Sequence, residues 1–149
     1  MDNGAGSYRR FLDGDNEGFV EIVRDYKDGL IRVYDREHRG RDSRLLWALG
    51  NYSRFVRPGA VRYNITSDQE EDPYGLMASA FRNKDNSWVV VVINYSQQEK
   101  PFSFSVDKKK NKWQPYRTSD AEGETLKPLT PCKGRISLPP RSITTFVSL

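Results

Sequence analysis

The stretch "RLLWALGNYSRFVRPGAVRY" (residues 44–63) holds two periodicities with a hard stop between them. Leu45, Ala48, Leu49, Tyr52, Phe55 and Val56 recur at intervals of three and four, which sets them on one face of a helix. Just ahead, Asp42-Ser43 offers a side-chain oxygen to a free amide of the first turn. Arg54 and Arg57 stand where the helix dipole favours positive charge. Pro58 cannot continue the hydrogen-bond ladder and Gly59 permits the stop. The spacing predicts a helix over 44–58. Leu46 and Trp47 lie off the stripe, so burial on more than one side is expected.

Beyond Gly59 the period falls to two. "AVRYNIT" (60–66) and "YGLMASAFRN" (74–83) read as strands, with the turn "KDNS" (84–87) after the second. "WVVVVINY" (88–95) is an unbroken apolar run, as in a strand buried on both faces. "FSFSV" (102–106) alternates, with Phe102, Phe104 and Val106 inward. "WQPYRTS" (113–119) is interrupted by Pro115, which predicts an edge strand. "GRISLPP" (134–140) and "SITTFVSL" (142–149) supply the last two strands.

Upstream, "GFVEIVRDYKDGLIRVY" (18–34) holds two strand-like runs, near Phe19–Arg24 and Leu30–Tyr34, about the hairpin dipeptide Asp28-Gly29. "DREHRGRDS" (35–43) reads as a charged loop. The expected fold is mainly β: an antiparallel Greek-key β-sandwich with one α-helix and an N-terminal β-hairpin. The expected division is 1–43 for the lead-in loop and hairpin, 44–58 for a junction helix and 59–149 for the sandwich.

The chain has 149 residues, enough for one domain, with 36% hydrophobic and 30% charged residues. Its net charge of +4 is too mild to argue for nucleic acid. Cys132 is the single cysteine and His38 the single histidine, so neither an internal disulfide nor a Cys/His zinc site is expected. No apolar run reaches about 18 residues, so no membrane-spanning helix is expected. The first residues lack a basic segment followed by an apolar one, so no secretory signal is expected here.

Each motif with chemical potential competes with a plainer reading. "DGDNEG" (13–18) places Asp13, Asp15, Glu17 and Gly18 at the opening positions of a calcium loop, but Arg24 stands where the bidentate Glu belongs. A solvated turn is expected, with no metal. "KKKNKWQPYR" (108–117) interleaves bases with aromatics and is suited either to single-stranded nucleic acid or to a lysine-protected sheet edge. The second fits better, since no basic stripe matches it elsewhere. His38 sits in a charged loop, and no serine occupies a Gly-x-Ser-x-Gly elbow. Asn51-Tyr-Ser, Asn64-Ile-Thr and Asn94-Tyr-Ser match the N-glycosylation pattern. The first falls inside the expected helix and the third ends an expected buried strand.

Trp88, Trp113, Tyr74 and Tyr116 lie near strand ends or loops. Their rings can stack on sugar faces; the plainer reading is core packing. A glycosidase needs two carboxyls roughly 5–9 Å apart across a cleft. The acids here gather in turns, at 13–17, 68–72 and 120–124, so no catalytic pair is expected.

"RLLWALGNYSRFVRPGAVRY" resembles the junction in glycoside hydrolase family 30 at which the last helix of a (β/α)8 barrel hands over to a β-sandwich. "KDGLIRVYD", "WVVVVINYS", "YRTSD" and above all "ISLPPRSITTFV" are similar to neighbouring segments of endo-β-1,6-galactanases of that family. The resemblance runs from about Gly29 to Leu149. It implies retaining hydrolysis by two barrel glutamates, one in an Asn-Glu-Pro motif. Asn16-Glu17-Gly18 departs from that motif, so no catalytic residue carries over. The resemblance therefore implies a non-catalytic accessory domain that stabilises a barrel in the parent chain and contributes to binding of β-linked polysaccharide. Phe19–Tyr34 is expected to fill strand positions that precede the barrel in the family. The parent is expected to be secreted. No cofactor is implied. The alternatives are a free-standing carbohydrate-binding module and a nucleic-acid binder using 108–117, and an exposed barrel-facing helix is expected to favour dimers.

Overall fold

The computed structural model describes residues 30–34, 39–68, 72, 74–106 and 112–149. The chain divides into two compact units, Met1–Arg41 and Asp42–Leu149. The expected strand at Phe19–Arg24, the calcium-like loop 13–18, His38 and the lysines of 108–110 lie outside the described residues.

β1 (Ile31–Tyr34) pairs with β2 (Arg39–Asp42) in a two-stranded sheet. Sequence reading made 35–43 a loop, and the ladder at 39–42 corrects it. Charge along a run does not forbid a strand that meets water, because the ladder is a backbone property.

Helix α1 (Arg44–Ser53) begins where expected. Ser43 Oγ accepts the Leu46 amide at 3.3 Å, and Trp47 Nε1 donates to the Asp42 carboxylate. The regular helix stops at Ser53, short of the expected 58, and tightens: the amides of Phe55 and Val56 both donate to Tyr52 O, at 3.1 and 2.8 Å. Asn83, from a turn far along the chain, closes this end. Its Oδ1 accepts the Arg57 amide at 3.0 Å and its Nδ2 donates to Phe55 O at 3.0 Å. A side chain thus satisfies backbone groups that a frayed helix leaves open.

Among the described residues eight further strands follow: β3 (Val61–Tyr63), β4 (Leu76–Arg82), β5 (Trp88–Asn94), β6 (Lys100–Ser103), β7 (Trp113–Thr118), β8 (Lys127–Pro128), β9 (Arg135–Leu138) and β10 (Ser142–Ser148). Six form one sheet in the order β3-β4-β5-β10-β7-β8, and β6 pairs with β9 in a second. Every pairing among these is antiparallel. The last strand of the chain lies between β5 and β7, so the chain leaves the large sheet after β5 and returns to its middle, a Greek-key path.

Alternation along β5 sorts the core into two layers. Val90 and Val92 join Ala80, Phe146, Trp113 and Leu138, with Phe102, Phe104 and Ile136 of the small-sheet side packed on them. Val89 and Val91 join Ile143 on the opposite face, against Ala48, Tyr52, Phe55 and Val56. The large sheet is therefore covered by the small sheet on one face and by α1 on the other. All four valines are buried, as a two-faced strand requires.

Pro115 does not mark an edge. β7 is interior, with β10 on one side and β8 on the other. Pro115 O accepts the Leu129 amide at 2.9 Å, so the polar groups of Pro115 point away from β10, towards the β8 side. The missing N–H therefore removes nothing from the β7–β10 ladder. Gln114 Nε2 replaces it by donating to Leu129 O at 2.7 Å.

Candidate carbohydrate-binding surface

The structure scatters the four aromatics suggested by sequence. Trp113 is 1% exposed. Its ring packs 4.9 Å from Phe104, and its backbone exchanges hydrogen bonds of 2.8 and 2.9 Å with Cys132. It offers no face to a ligand, because its place on β7 turns it into the core beneath the small sheet. Tyr116 lies 4.6 Å from Phe55, under the end of α1. Trp88 is half-buried, edge-on to Tyr63 at 4.7 Å, with the Arg82 guanidinium 5.5 Å from its centroid. Tyr74 is 73% exposed. Trp88 and Tyr74 stand at opposite ends of the β4–β5 ladder, which runs from Arg82↔Trp88 to Leu76↔Asn94, about 20 Å at ~3.3 Å per residue.

Only Tyr74 belongs to an open constellation. It lies in a turn whose shape is fixed locally. Asp72 Oδ1 accepts the Tyr74 amide at 2.9 Å, and Asp72 O accepts the Gly75 amide at 2.9 Å. A methyl at Gly75 would sit 2.6 Å from Asp72 Oδ2, so a larger residue there displaces the Asp72 carboxylate. Gly75 O in turn accepts the Tyr95 amide at 3.0 Å, which brings the end of β5 alongside. The Tyr74 and Tyr95 centroids are 6.3 Å apart, with ring planes inclined at 43°. Arg141, between β9 and β10, places its guanidinium 4.7 Å from the Tyr95 centroid. Its amide donates to Ser96 O at 3.2 Å.

Asn94 holds this end of the sheet together from beneath. Its Nδ2 donates to Gln98 O, Leu138 O and Pro139 O at 2.8, 3.0 and 2.9 Å. Its Oδ1 accepts the Ser96 amide and hydroxyl at 3.1 and 2.7 Å. One buried carboxamide therefore fixes the segments that carry Tyr95 and Arg141. Two tilted rings with a planar cation beside them can stack on the C–H face of a sugar while the guanidinium donates to its hydroxyls.

Acidic groups elsewhere shape their own loops. Glu124 accepts from the Ser119 hydroxyl and lies 3.9 Å from Arg117 Nη1. Glu99 accepts from Ser137, and Asp85 from Ser87. Sequence reasoning missed Tyr95 and Arg141, which lie on different strand ends. The signal was the β5–β10 pairing, which sets Ser142 opposite Asn94.

The Glycosyl hydrolase family 30 beta sandwich domain matches residues 59–146. The chain belongs to the family of glycosyl hydrolase family 30 beta sandwich domains. Among solved structures, xylanase C of this family from Talaromyces cellulolyticus is similar in its catalytic domain at 30% identity and TM-score 0.66, over 81% of this chain and 27% of that one. A family 30 endoxylanase from Clostridium papyrosolvens gives 25% identity and TM-score 0.59, over 72% and 28%. A conserved exported protein from Bacteroides fragilis gives 29% and TM-score 0.65, over 73% and 22%. The chain thus spans 22–28% of the length of these relatives. The family 30 match includes Tyr74, Tyr95 and Arg141; α1 lies ahead of it.

Proposed function

We propose that this chain is the non-catalytic accessory sandwich of an extracellular family 30 glycoside hydrolase. It stabilises the catalytic barrel of the parent enzyme and holds β-linked polysaccharide at Tyr74, Tyr95 and Arg141. The observation that carries the binding role is the exposed tyrosine pair with a stacked guanidinium, fixed by buried Asn94. Supporting the barrel role, Leu45 and Leu49 are each 48% exposed although α1 packs its other side on the sheet. In this reading the junction segment, α1 and the turn after it, occupies 44–58, the sandwich 59–149 and the lead-in 1–43.

The sugar class is a β-linked backbone. β-1,6-Galactan is the choice suggested by the resemblance of the junction and closing strand, and xylan the one suggested by the names of the solved relatives. Affinity electrophoresis of the chain in gels containing either polymer tests the site. Retardation is expected with at least one, and Tyr95→Ala or Arg141→Ala is expected to weaken it at least fivefold. Equal retardation of wild type and both variants removes the site; unretarded wild type removes the sugar-binding role.

Nucleic acid is the weaker reading. The buried ring of Trp113 removes the first aromatic of the 108–117 pattern from stacking.

A further inference from the structure

The sequence carries the N-glycosylation pattern at Asn51, Asn64 and Asn94, and the structure separates them sharply. Transfer of an oligosaccharide joins the asparagine Nδ2 to the anomeric carbon of a sugar held on a lipid pyrophosphate. The carbon–oxygen bond to pyrophosphate breaks, the lipid pyrophosphate leaves and the amide gives up one proton to a base. The product keeps a single N–H on that nitrogen and carries a bulky polar chain that must reach solvent.

Asn51 cannot meet either condition in the folded protein. It is 0% exposed, and its Nδ2 donates to Trp47 O at 2.9 Å and to Thr118 Oγ1 at 2.8 Å. A glycan there would have to pass between α1 and the sheet. Asn94 is 1% exposed, and its Nδ2 serves three carbonyls beneath the Tyr95–Arg141 surface. Glycosylation of either is incompatible with the sandwich.

Asn64 is different in every respect. It follows Tyr63, the last residue of β3 to pair with β4, and lies outside any strand or helix. Asn64, Ile65 and Thr66 are all exposed. β3 is the outer strand of the large sheet. A chain grown from Asn64 emerges beside a strand that is outermost among the described residues, where bulk and hydration oppose edge-to-edge pairing.

We propose that Asn64 is the acceptor for an N-linked oligosaccharide when the chain enters a secretory route containing a lipid-linked oligosaccharide donor, and that Asn51 and Asn94 are not. This does not rest on the sugar-binding surface. The test is to direct the 149-residue chain through the secretory pathway of a yeast host behind a cleavable leader. Medium and cell extract are both mapped by peptide mass spectrometry before and after N-glycosidase treatment. Expected is one occupied site, at Asn64, with the peptides of Asn51 and Asn94 unmodified in the secreted material. Thr66→Ala, which keeps Asn64 but removes the hydroxyl the transfer requires, is expected to abolish the modification without changing the melting temperature. Asn64 unmodified in both fractions, or a glycan on Asn51 or Asn94 in secreted chain with native near-ultraviolet dichroism, overturns the proposal.

Discussion

Asn51 joins three elements through one buried carboxamide. Nδ2 donates to Trp47 O and to Thr118 Oγ1 on β7, while Thr145 Oγ1 on β10 donates to Asn51 Oδ1 at 3.0 Å and to its carbonyl at 2.8 Å. Thr118 Oγ1 also accepts the Leu126 amide at 3.0 Å, extending the network past β7. Asn51→Ala leaves the partnered groups on both strands desolvated and unmatched. The expected loss is about 2–4 kcal/mol, from ~1 kcal/mol per hydrogen bond plus the cost of groups left unsatisfied. Urea unfolding checks it: the midpoint falls while the slope stays constant. At the surface, Asp85 illustrates a charge effect of known sign. The Ser87 hydroxyl and amide both donate to its Oδ1, at 2.6 and 2.9 Å, and hold its pKa below the ordinary 3.8. The folded pKa is depressed, so this contribution to stability is complete above about pH 3.8 and is lost as pH falls through the folded value. Ser87→Ala removes the larger cause. Carboxyl carbon titration by NMR is expected to show Asp85 moving up towards the ordinary value.

At the level of elements, β7 shows how a local rule yields to topology. Proline is normally excluded from a central strand because it cannot donate to the ladder. Here its polar side faces β8, and Gln114 supplies the absent donor. Gln114→Met keeps the volume and removes the amide. We expect a loss of about 1 kcal/mol, the usual net value of one hydrogen bond, with hydrogen exchange accelerated at Leu129 and the β8 ladder. Wild-type protection there would dismiss the substitute-donor account. The same strand marks the limits of sequence reading. Period-two runs and the four-valine strand were legible because each depends on neighbours in sequence, whereas the helix end was not: it falls at Ser53, ahead of Pro58-Gly59, where Asn83 from beyond β4 closes it. The inner place of β7 was not, because strand order follows from the return of β10 between β5 and β7. The helix face was legible only in part. Ala48, Tyr52, Phe55 and Val56 pack on the sheet, but Leu45 and Leu49 stay about half exposed, and polar Asn51 takes the most buried position. Tyr74 was legible as an exposed aromatic, whereas Tyr95 and Arg141 join it only through strand pairing.

For the whole molecule, the question is what the outward face of α1 meets. Leu45 and Leu49 are one helical turn apart and therefore adjacent, and both remain about half exposed beside a core already complete without them. A free-standing carbohydrate module gains nothing from this face, whereas the accessory sandwich proposed above would set it against a barrel. The two readings separate in one experiment. The double variant Leu45→Glu, Leu49→Glu is expected to alter the unfolding free energy of the isolated chain by no more than about 0.5 kcal/mol, as at a surface free of structural partners. In a separately produced barrel of the parent enzyme, titrated with the chain, the same variant is expected to weaken association at least tenfold, about 1.4 kcal/mol. Sedimentation of the chain alone supplies the control, since a dimer dissolved by the variant would assign the leucines to a second copy. Unchanged association with the barrel would detach the helix from it and leave the proposed sugar surface as the remaining reading.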